Sequence, residues 1–388
     1  MELKVENYGP LDEALIKIDT PITLFAGPNN SGKTFISRTL HAIIHASKTR
    51  MREDLLVAYL CNDIWADKAN LKDLVKSGEE QAVVRFKAGN FNLEIIIPST
   101  SKEYIDLESR GILPKINSVY IPAARRTFVS IDRFAKTIMQ LVLPQLEGFS
   151  KIFAKIWFKN KKADIKSKEA MERLQNVLYD PDAFILMLRQ LIPLTPPFSE
   201  MIAGIFPPTL MDIAAISVRY SQEKLSEDIL MAFKEFLGGL WKMDEGIFVD
   251  EKHGKVRVRP SLLSSGAVEL IPLLLITDYG LKLSKNYNRI YIFIDEPEVH
   301  LEPPSQVKLA HFIFKLVDQY PKLSFIISTH SDVFLLAQTK YAASNDMLES
   351  ICVYEFSKGK SFEKKIGKYG EVEIEGFRWA LEKVTTIE

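Results

Sequence analysis

Cysteine is nearly absent: two among 388 residues, Cys61 and Cys352, neither with His or Cys beside it at metal-ligand spacing. That argues against a disulfide framework or a zinc site and suits a reducing compartment. An excess of either charge is missing too. Lys plus Arg and Asp plus Glu stand at 50 each, so no overall field draws the chain onto nucleic acid or an anionic membrane, and any such contact needs a local patch. Long hydrophobic runs are also lacking. The longest, Leu270 to Ile276, falls far short of the ~20 residues of a membrane-spanning helix. The start, MELKVENYGPLDE, carries acids where a signal peptide needs a basic and then an apolar stretch. The expectations are a cytoplasmic location and no membrane contact. What remains is an ordinary globular composition, 47% hydrophobic, with enough chain for a substantial core and more than one structural unit.

The first residues read as three short strands, Glu2 to Glu6, Ala14 to Ile18 and Ile22 to Ala26, separated by turns at Tyr8-Gly9-Pro10 and Thr20-Pro21. Apolar spacing predicts a helix over Phe35 to Ala46, and interrupted helix in the polar stretch to Glu80. Alternation on either side of Ala88-Gly89-Asn90 predicts a hairpin, and Ser118 to Ile121 a further strand. From Val129 to Met243 the signal is helical, with prolines as breakers, which reads as an inserted helical arm. Strand signals return at Gly246 to Val249 and Lys255 to Val258, with a turn at His253-Gly254, and helix then alternates with strand. The expected fold is α/β: a mixed, mostly parallel sheet joined to an N-terminal antiparallel sheet, interrupted by the arm. The expected division is 1–128, 129–244 and 245–388.

Between the third strand and the first helix lies Gly27-Pro28-Asn29-Asn30-Ser31-Gly32-Lys33-Thr34, a match to G-x-x-x-x-G-K-[ST] in the strand-loop-helix context that supports it. Such a loop wraps its backbone N–H groups around phosphate oxygens, and the following helix, from Phe35, points its positive end at the same charge. Lys33 is expected to reach the β- and γ-phosphates of ATP, and Thr34 to offer its hydroxyl to Mg²⁺. Asn30 stands where many such loops carry glycine, and Asn tolerates the left-handed backbone.

Three downstream segments narrow the chemistry. Arg289 to Pro297 is an apolar run ending in Asp295 and Glu296, the pattern of a buried parallel strand whose C-terminal end meets the site. Asp295 is expected to hold Mg²⁺, and Glu296 to orient and polarise the attacking water. Phe325 to His330 repeats the design, one crossover later, and His330 at the end of the strand is expected to be catalytic, its imidazole donating to the γ-phosphate or the attacking water. Leu263-Ser264-Ser265-Gly266 opens an apolar helix. Taken alone it is an ordinary helix cap; beside the other motifs it becomes a candidate anion-binding helix start.

GPNNSGKT, LSSG, IYIFIDEPEVHLEP and FIISTH, in that order, resemble the ABC-type P-loop ATPases of the RecF and SMC group, and within it the overcoming-lysogenisation-defect (OLD) family and its stand-alone relatives. The resemblance covers residues 1–128 and 245–388. It implies a homodimer closed over two ATP molecules, in which Ser264, Ser265 and Gly266 of one copy contact the γ-phosphate held by Lys33 of the other. It also implies that Pro297 to Pro303 crosses the dimer seam, with Glu298 and His300 near the second nucleotide. Where the family commonly carries a glutamine after a mid-lobe strand, this chain has Ala123 and Ala124 followed by Arg125 and Arg126. Arg125 is a candidate for nucleotide or signature contact, or else part of a solvated face. OLD nucleases continue into a nuclease domain, whereas this sequence ends at Glu388 after a predicted hairpin and short helix. An effector nuclease would therefore act in trans.

Lys151 to Lys168 holds seven lysines interleaved with Phe153, Ile156, Trp157 and Phe158. Basic residues with aromatics can track a phosphate backbone and stack bases. A helical lid with lysines on its wet face fits the same pattern. Two functions follow: an ATP-hydrolysing switch tied to DNA, in genome maintenance or antiviral defence, or a slow nucleotide-gated scaffold for a protein partner.

Overall fold

Alternating apolar residues give the central strands two buried faces, and those faces organise the molecule. The computed structural model describes residues 1–47, 56, 60, 71–100, 105–121, 225–237, 241–244, 247–250, 256–258 and 265–376. The N-terminal part supplies β1 (Glu2–Tyr8), β2 (Leu11–Lys17), β3 (Ile22–Ala26), α1 (Lys33–Ser47), β4 (Gln81–Ala88), β5 (Phe91–Pro98), β6 (Asp106–Arg110) and β7 (Ile116–Ile121). After the middle of the chain come α2 (Glu227–Leu237), β8 (Trp241–Asp244), β9 (Ile247–Asp250), β10 (Val256–Val258) and α3 (Ser265–Leu283). The C-terminal part adds β11 (Arg289–Asp295), α4 (Pro303–Gln319), β12 (Leu323–Thr329), α5 (Asp332–Ser344), β13 (Ile351–Ser357) and β14 (Lys360–Lys364).

Among the described residues, eleven strands form one sheet in the order β6-β5-β4-β1-β2-β14-β13-β3-β12-β11-β7. The block β13-β3-β12-β11-β7 is parallel, and β2-β1-β4-β5-β6 is antiparallel. β14 joins them, antiparallel to β13 and bridged to β2 at Lys360 and Glu13. The expected mixed sheet is thus continuous, built from both ends of the chain.

Along β11 the period of two sorts the side chains. Tyr291 and Phe293 join Phe25, Tyr120 and Ile326 beneath α1 and the N-terminal strands. Ile290, Ile292 and Ile294 face the other way, with Leu24, Val119, Phe325 and Ile327, against α3, α4 and α5. Each fully buried Ile, Leu or Phe stabilises the fold by ~1.5–3 kcal/mol. A strand buried on both faces reads as a continuous apolar run, which is why β11 and β12 were legible.

Several elements differ from expectation. β8 lies where helix was expected; it pairs with β9 from Trp241–Asp250 to Asp244–Ile247, and four residues are too few for a clear period. β6, of sequence DLESR, pairs with β5 at the edge of the sheet, and polar residues on an edge strand hide the alternation. Residues 71–74 form one turn of 3₁₀ helix, and Val75 bridges Tyr8. α3 runs on past the apolar stretch that ends at Ile276, to Leu283. Of the expected arm, 129–244, only 225–237 and 241–244 are among the described residues, and the turn at His253-Gly254 lies outside them. α2 is tied to the core where Ser226 N–H donates to Asp278 (3.0 Å) and Tyr320 OH donates to Asp228.

Candidate nucleotide site

In a parallel sheet all C-terminal strand ends lie along one edge, and loops from adjacent strands meet there. The register makes this concrete. Ala26 of β3 pairs with Thr329 of β12, Ser328 with Asp295 of β11, and Ile294 with Ile121 of β7. The loop Gly27–Thr34, the acids Asp295 and Glu296, and His330 therefore emerge side by side.

The loop needs its glycines. Gly27 has φ 141, and a Cβ there would stand 2.3 Å from the Phe356 carbonyl oxygen, too close for any side chain. Asn30 has φ 60, the left-handed conformation anticipated for it, and Gly32 has φ 104. Pro28, Asn29 and Asn30 are exposed, Ser31 and Thr34 half-buried. The Phe35 side chain packs against the Tyr8 ring, 4.6 Å between centroids, so it serves the core.

Lys33 is 3% exposed. Its Nζ donates back into the loop, to Gly27 O (2.9 Å), Pro28 O (2.8 Å) and Ser31 Oγ (3.5 Å). Burial pushes its ammonium down to about 8, against the attraction of Glu296, Asp295 and Glu298. The charges of three acids thus bear on a buried cation that itself donates to neutral oxygens.

Asp295 is 2% exposed. Ser328 Oγ donates to its Oδ1 (2.7 Å) and Tyr120 OH to its Oδ2. Arg38 Nε donates to the same Tyr120 hydroxyl (3.1 Å), with its guanidinium carbon 5.7 Å from the ring centroid. Burial raises the Asp295 pKa while Arg38 opposes it, and burial beside Asp295 drives the Tyr120 pKa well up. The phenol therefore stays protonated and remains a donor.

Glu296 has φ 46, and its N–H donates to Ser328 O (2.9 Å). Its Oε1 lies 3.1 Å from His330 Nε2, with 29% and 28% of the two side chains exposed. This pair faces solvent, unlike Asp295. Glu298 is turned inward, 8% exposed, and its Oε1 accepts from Thr329 Oγ1 (2.7 Å), His330 N–H (2.8 Å) and Ser331 N–H (3.2 Å). The resemblance had set Glu298 and His300 together at a dimer seam; in this chain His300 is exposed, with φ 62, and Glu298 is not.

Ser265 and Gly266 begin α3. Ser264, Arg125 and the stretch Lys151 to Lys168 lie outside the described residues. Sequence reading missed Tyr120, Arg38 and Ser328. Tyr120 becomes visible only through the register, which sets it beside Phe293, two residues before Asp295 on the neighbouring strand. Arg38 sits one turn beyond Thr34 on α1, and nothing in its spacing marks it.

Among the described residues, no group of three or more His, Cys, Asp or Glu stands close enough to hold a metal unaided. Asp295 and the Thr34 hydroxyl offer hard oxygen donors, a set that suits Mg²⁺ shared with phosphate oxygens and water. The glycine-dependent loop and the buried ammonium fit a polyphosphate.

A family model described as "AAA domain, putative AbiEii toxin, Type IV TA system" matches residues 81–337, well over half of the chain. The chain belongs to this AAA family. It is an ATP-binding P-loop ATPase with an α/β fold. The match takes in Asp295, Glu296 and His330, and the phosphate loop precedes it. Among solved structures it is similar to the Smc head domain of Pyrococcus furiosus bound to the C-terminal domain of ScpA, at 13% identity, covering 99% of each chain with a TM-score of 0.48. The SMC head domain from Thermotoga maritima also matches, at 13% identity and TM-score 0.40, over 93% of this chain and 97% of that one. So does the recombination mediator RecF with ATP, at 13% identity and TM-score 0.42, over 93% and 98%. No curated protein matches the sequence. Among the described residues no helix is long and apolar enough to cross a membrane.

Proposed function

We propose that this ATPase hydrolyses ATP with Mg²⁺ at a site completed by a second copy of the chain, and that the cycle gates a DNA-related process. The observation that carries the reading is the Glu296–His330 pair, 3.1 Å apart and open to solvent, on the edge that also holds the buried Lys33 and Asp295.

Each role follows from its surroundings. Backbone N–H groups of Gly27 to Thr34, with those of Phe35 and the N-terminal end of α1, cradle the phosphates. Lys33 exchanges the neutral carbonyls of Gly27 and Pro28 for anionic phosphate oxygens, and charge-assisted hydrogen bonds are roughly twice as strong as neutral ones. Thr34 and Asp295 hold Mg²⁺, which neutralises phosphate charge when bound. Asp295 is suited to this because Ser328 and Tyr120 fix its carboxylate by donating to it. Glu296 accepts the proton of the attacking water, and His330 orients Glu296 and offers an N–H to the developing charge.

The second copy enters through α3. Ser264, Ser265 and Gly266 at its start are the anion-binding signature that meets the partner's γ-phosphate, in a two-fold, isologous arrangement. Arg125 contributes a further nucleotide contact. In this reading 1–128 and 245–388 are the lobes of one head, 129–244 is an arm, and Lys151 to Lys168 on that arm touches DNA. The family description names a toxin of a toxin–antitoxin system; an effector in trans, in a cytoplasmic defence role like that of OLD-type relatives, fits this description.

The test is to trap Glu296→Gln with ATP and Mg²⁺ and measure its mass in solution. A dimer is expected, and a persistent monomer sinks the sandwich. Turnover with and without double-stranded DNA then tests the DNA link. Turnover that neither DNA nor Glu296→Gln alters favours the slow scaffold instead.

A further inference from the structure

We propose that Glu298 is a positioning residue that sets His330 against Glu296. The inference rests on the reading above, in which those two groups serve hydrolysis. A carboxylate 8% exposed is costly to bury unless its oxygens are hydrogen-bonded. Glu298 meets that cost in one place: a single oxygen, Oε1, gathers donors from three successive residues, Thr329, His330 and Ser331. Those residues are the last of β12 and the whole two-residue connection to α5. Its other oxygen, Oε2, is buried with no hydrogen-bond partner among the described residues.

The same connection is stitched to the acidic turn twice more. Ser331 Oγ caps α5 by accepting from Phe334 N–H (3.1 Å) and donates to Gln306 Oε1 (2.6 Å), while Gln306 Nε2 donates to Leu301 O (3.0 Å). Glu296 N–H reaches back to Ser328 O. The acidic turn and the histidine turn therefore move as one body. Glu298 holds the His330 backbone from below, and the imidazole above it falls 3.1 Å from Glu296. No reacting atom need touch Glu298.

Because one oxygen carries the three bonds, acceptor position matters more than charge. Gln keeps an acceptor oxygen at the same reach, whereas Asp keeps the charge but is shorter by one methylene. The experiment measures kcat, KM for ATP and binding of a fluorescent ATP analogue for Glu298→Ala, Glu298→Asp, Glu298→Gln, His330→Ala and the Glu298→Ala/His330→Ala double variant. General acid–base groups contribute about 10²–10⁴-fold, so His330→Ala is expected to lose at least about 10-fold in kcat, with Glu298→Ala close behind and KM within about threefold. The double variant should lose no more than about twofold beyond the weaker single, since both act on one element. Glu298→Gln should recover most of what Ala loses, and Glu298→Asp should not. Losses that multiply in the double variant, or a Glu298→Asp that outperforms Glu298→Gln, overturn the proposal. The Asp and Gln comparison stands even where the Ala variant does not fold. His330→Ala turning over like the parent overturns the reading beneath it, and the proposal with it.

Discussion

Replacing Lys33 by Met should make the nucleotide-free protein more stable while abolishing its response to ATP. Holding the ammonium at about 8 rather than its ordinary 10.5, at ~1.4 kcal/mol per pKa unit, costs the charged form about 3 kcal/mol. Met fills a similar volume without that cost. The lost hydrogen bonds to Gly27 O and Pro28 O offset part of the gain, at about 1 kcal/mol each, leaving about 1 kcal/mol net. For a chain of 388 residues, with an unfolding entropy of ~2.1 cal/mol/K per residue, that is a rise in Tm of about 1–2 °C. The pH dependence has a definite sign. Below about 8 Lys33 is protonated in both states and the cost is full. Between that value and 10.5 the unfolded chain binds more protons, so the parent gains stability as pH rises, and the advantage of Lys33→Met should shrink to nothing. At ATP concentrations of 100 times Kd, binding should stabilise the parent by about 2.7 kcal/mol and the variant not at all. Differential scanning fluorimetry from pH 6.5 to 10, with and without ATP, reads both effects. A nucleotide-free Lys33→Met that melts several degrees below the parent refutes the reasoning, because Lys33 would then be a structural cation rather than one held ready for phosphate.

Tyr120→Phe removes the hydroxyl that donates to Asp295 and should raise the Mg²⁺ concentration for half-maximal turnover by about 10-fold; an unchanged Mg²⁺ titration would show that the hydroxyl does not orient the metal site. Gly27→Ala places a Cβ 2.3 Å from a backbone oxygen, so fluorescent ATP should no longer bind detectably while circular dichroism stays near that of the parent. Asn30→Val puts a β-branched residue at φ 60, which costs ~1–2 kcal/mol and should weaken ATP binding by roughly 5- to 30-fold, whereas Asn30→Gly should bind as the parent does.

What sequence reading recovered is what strong local physics dictates. The phosphate loop was legible because its backbone needs glycine at fixed offsets, and β11 and β12 because a strand covered on both faces cannot carry polar residues until it ends. Where constraints were weak, the reading failed. DLESR at the sheet edge has no face that must be apolar, and Trp241 to Asp244 is too short to show a period. Arg38 and Ser328 were invisible, and Tyr120 was passed over, for another reason. They come from α1, β7 and β12 and converge on Asp295 through the register of three elements, which no local spacing encodes.

Glu298 shows how such convergence can redirect a residue that the sequence did single out. The motif marks it as a charged residue just past the acidic pair, and a charge after a strand is ordinarily read as facing outward. Here Glu296 and His300 take left-handed φ values, 46 and 62, while Val299 N–H and Leu301 N–H bond back to Glu296 O and Glu298 O. The turn is thereby wound tightly enough that Glu298 points beneath the sheet edge, where the N–H groups opening the β12–α5 connection need an acceptor. Burial of the carboxylate and satisfaction of that connection thus solve each other. Glu296 and His330 keep their exposed faces, while Glu298, which binds the His330 backbone, stays buried.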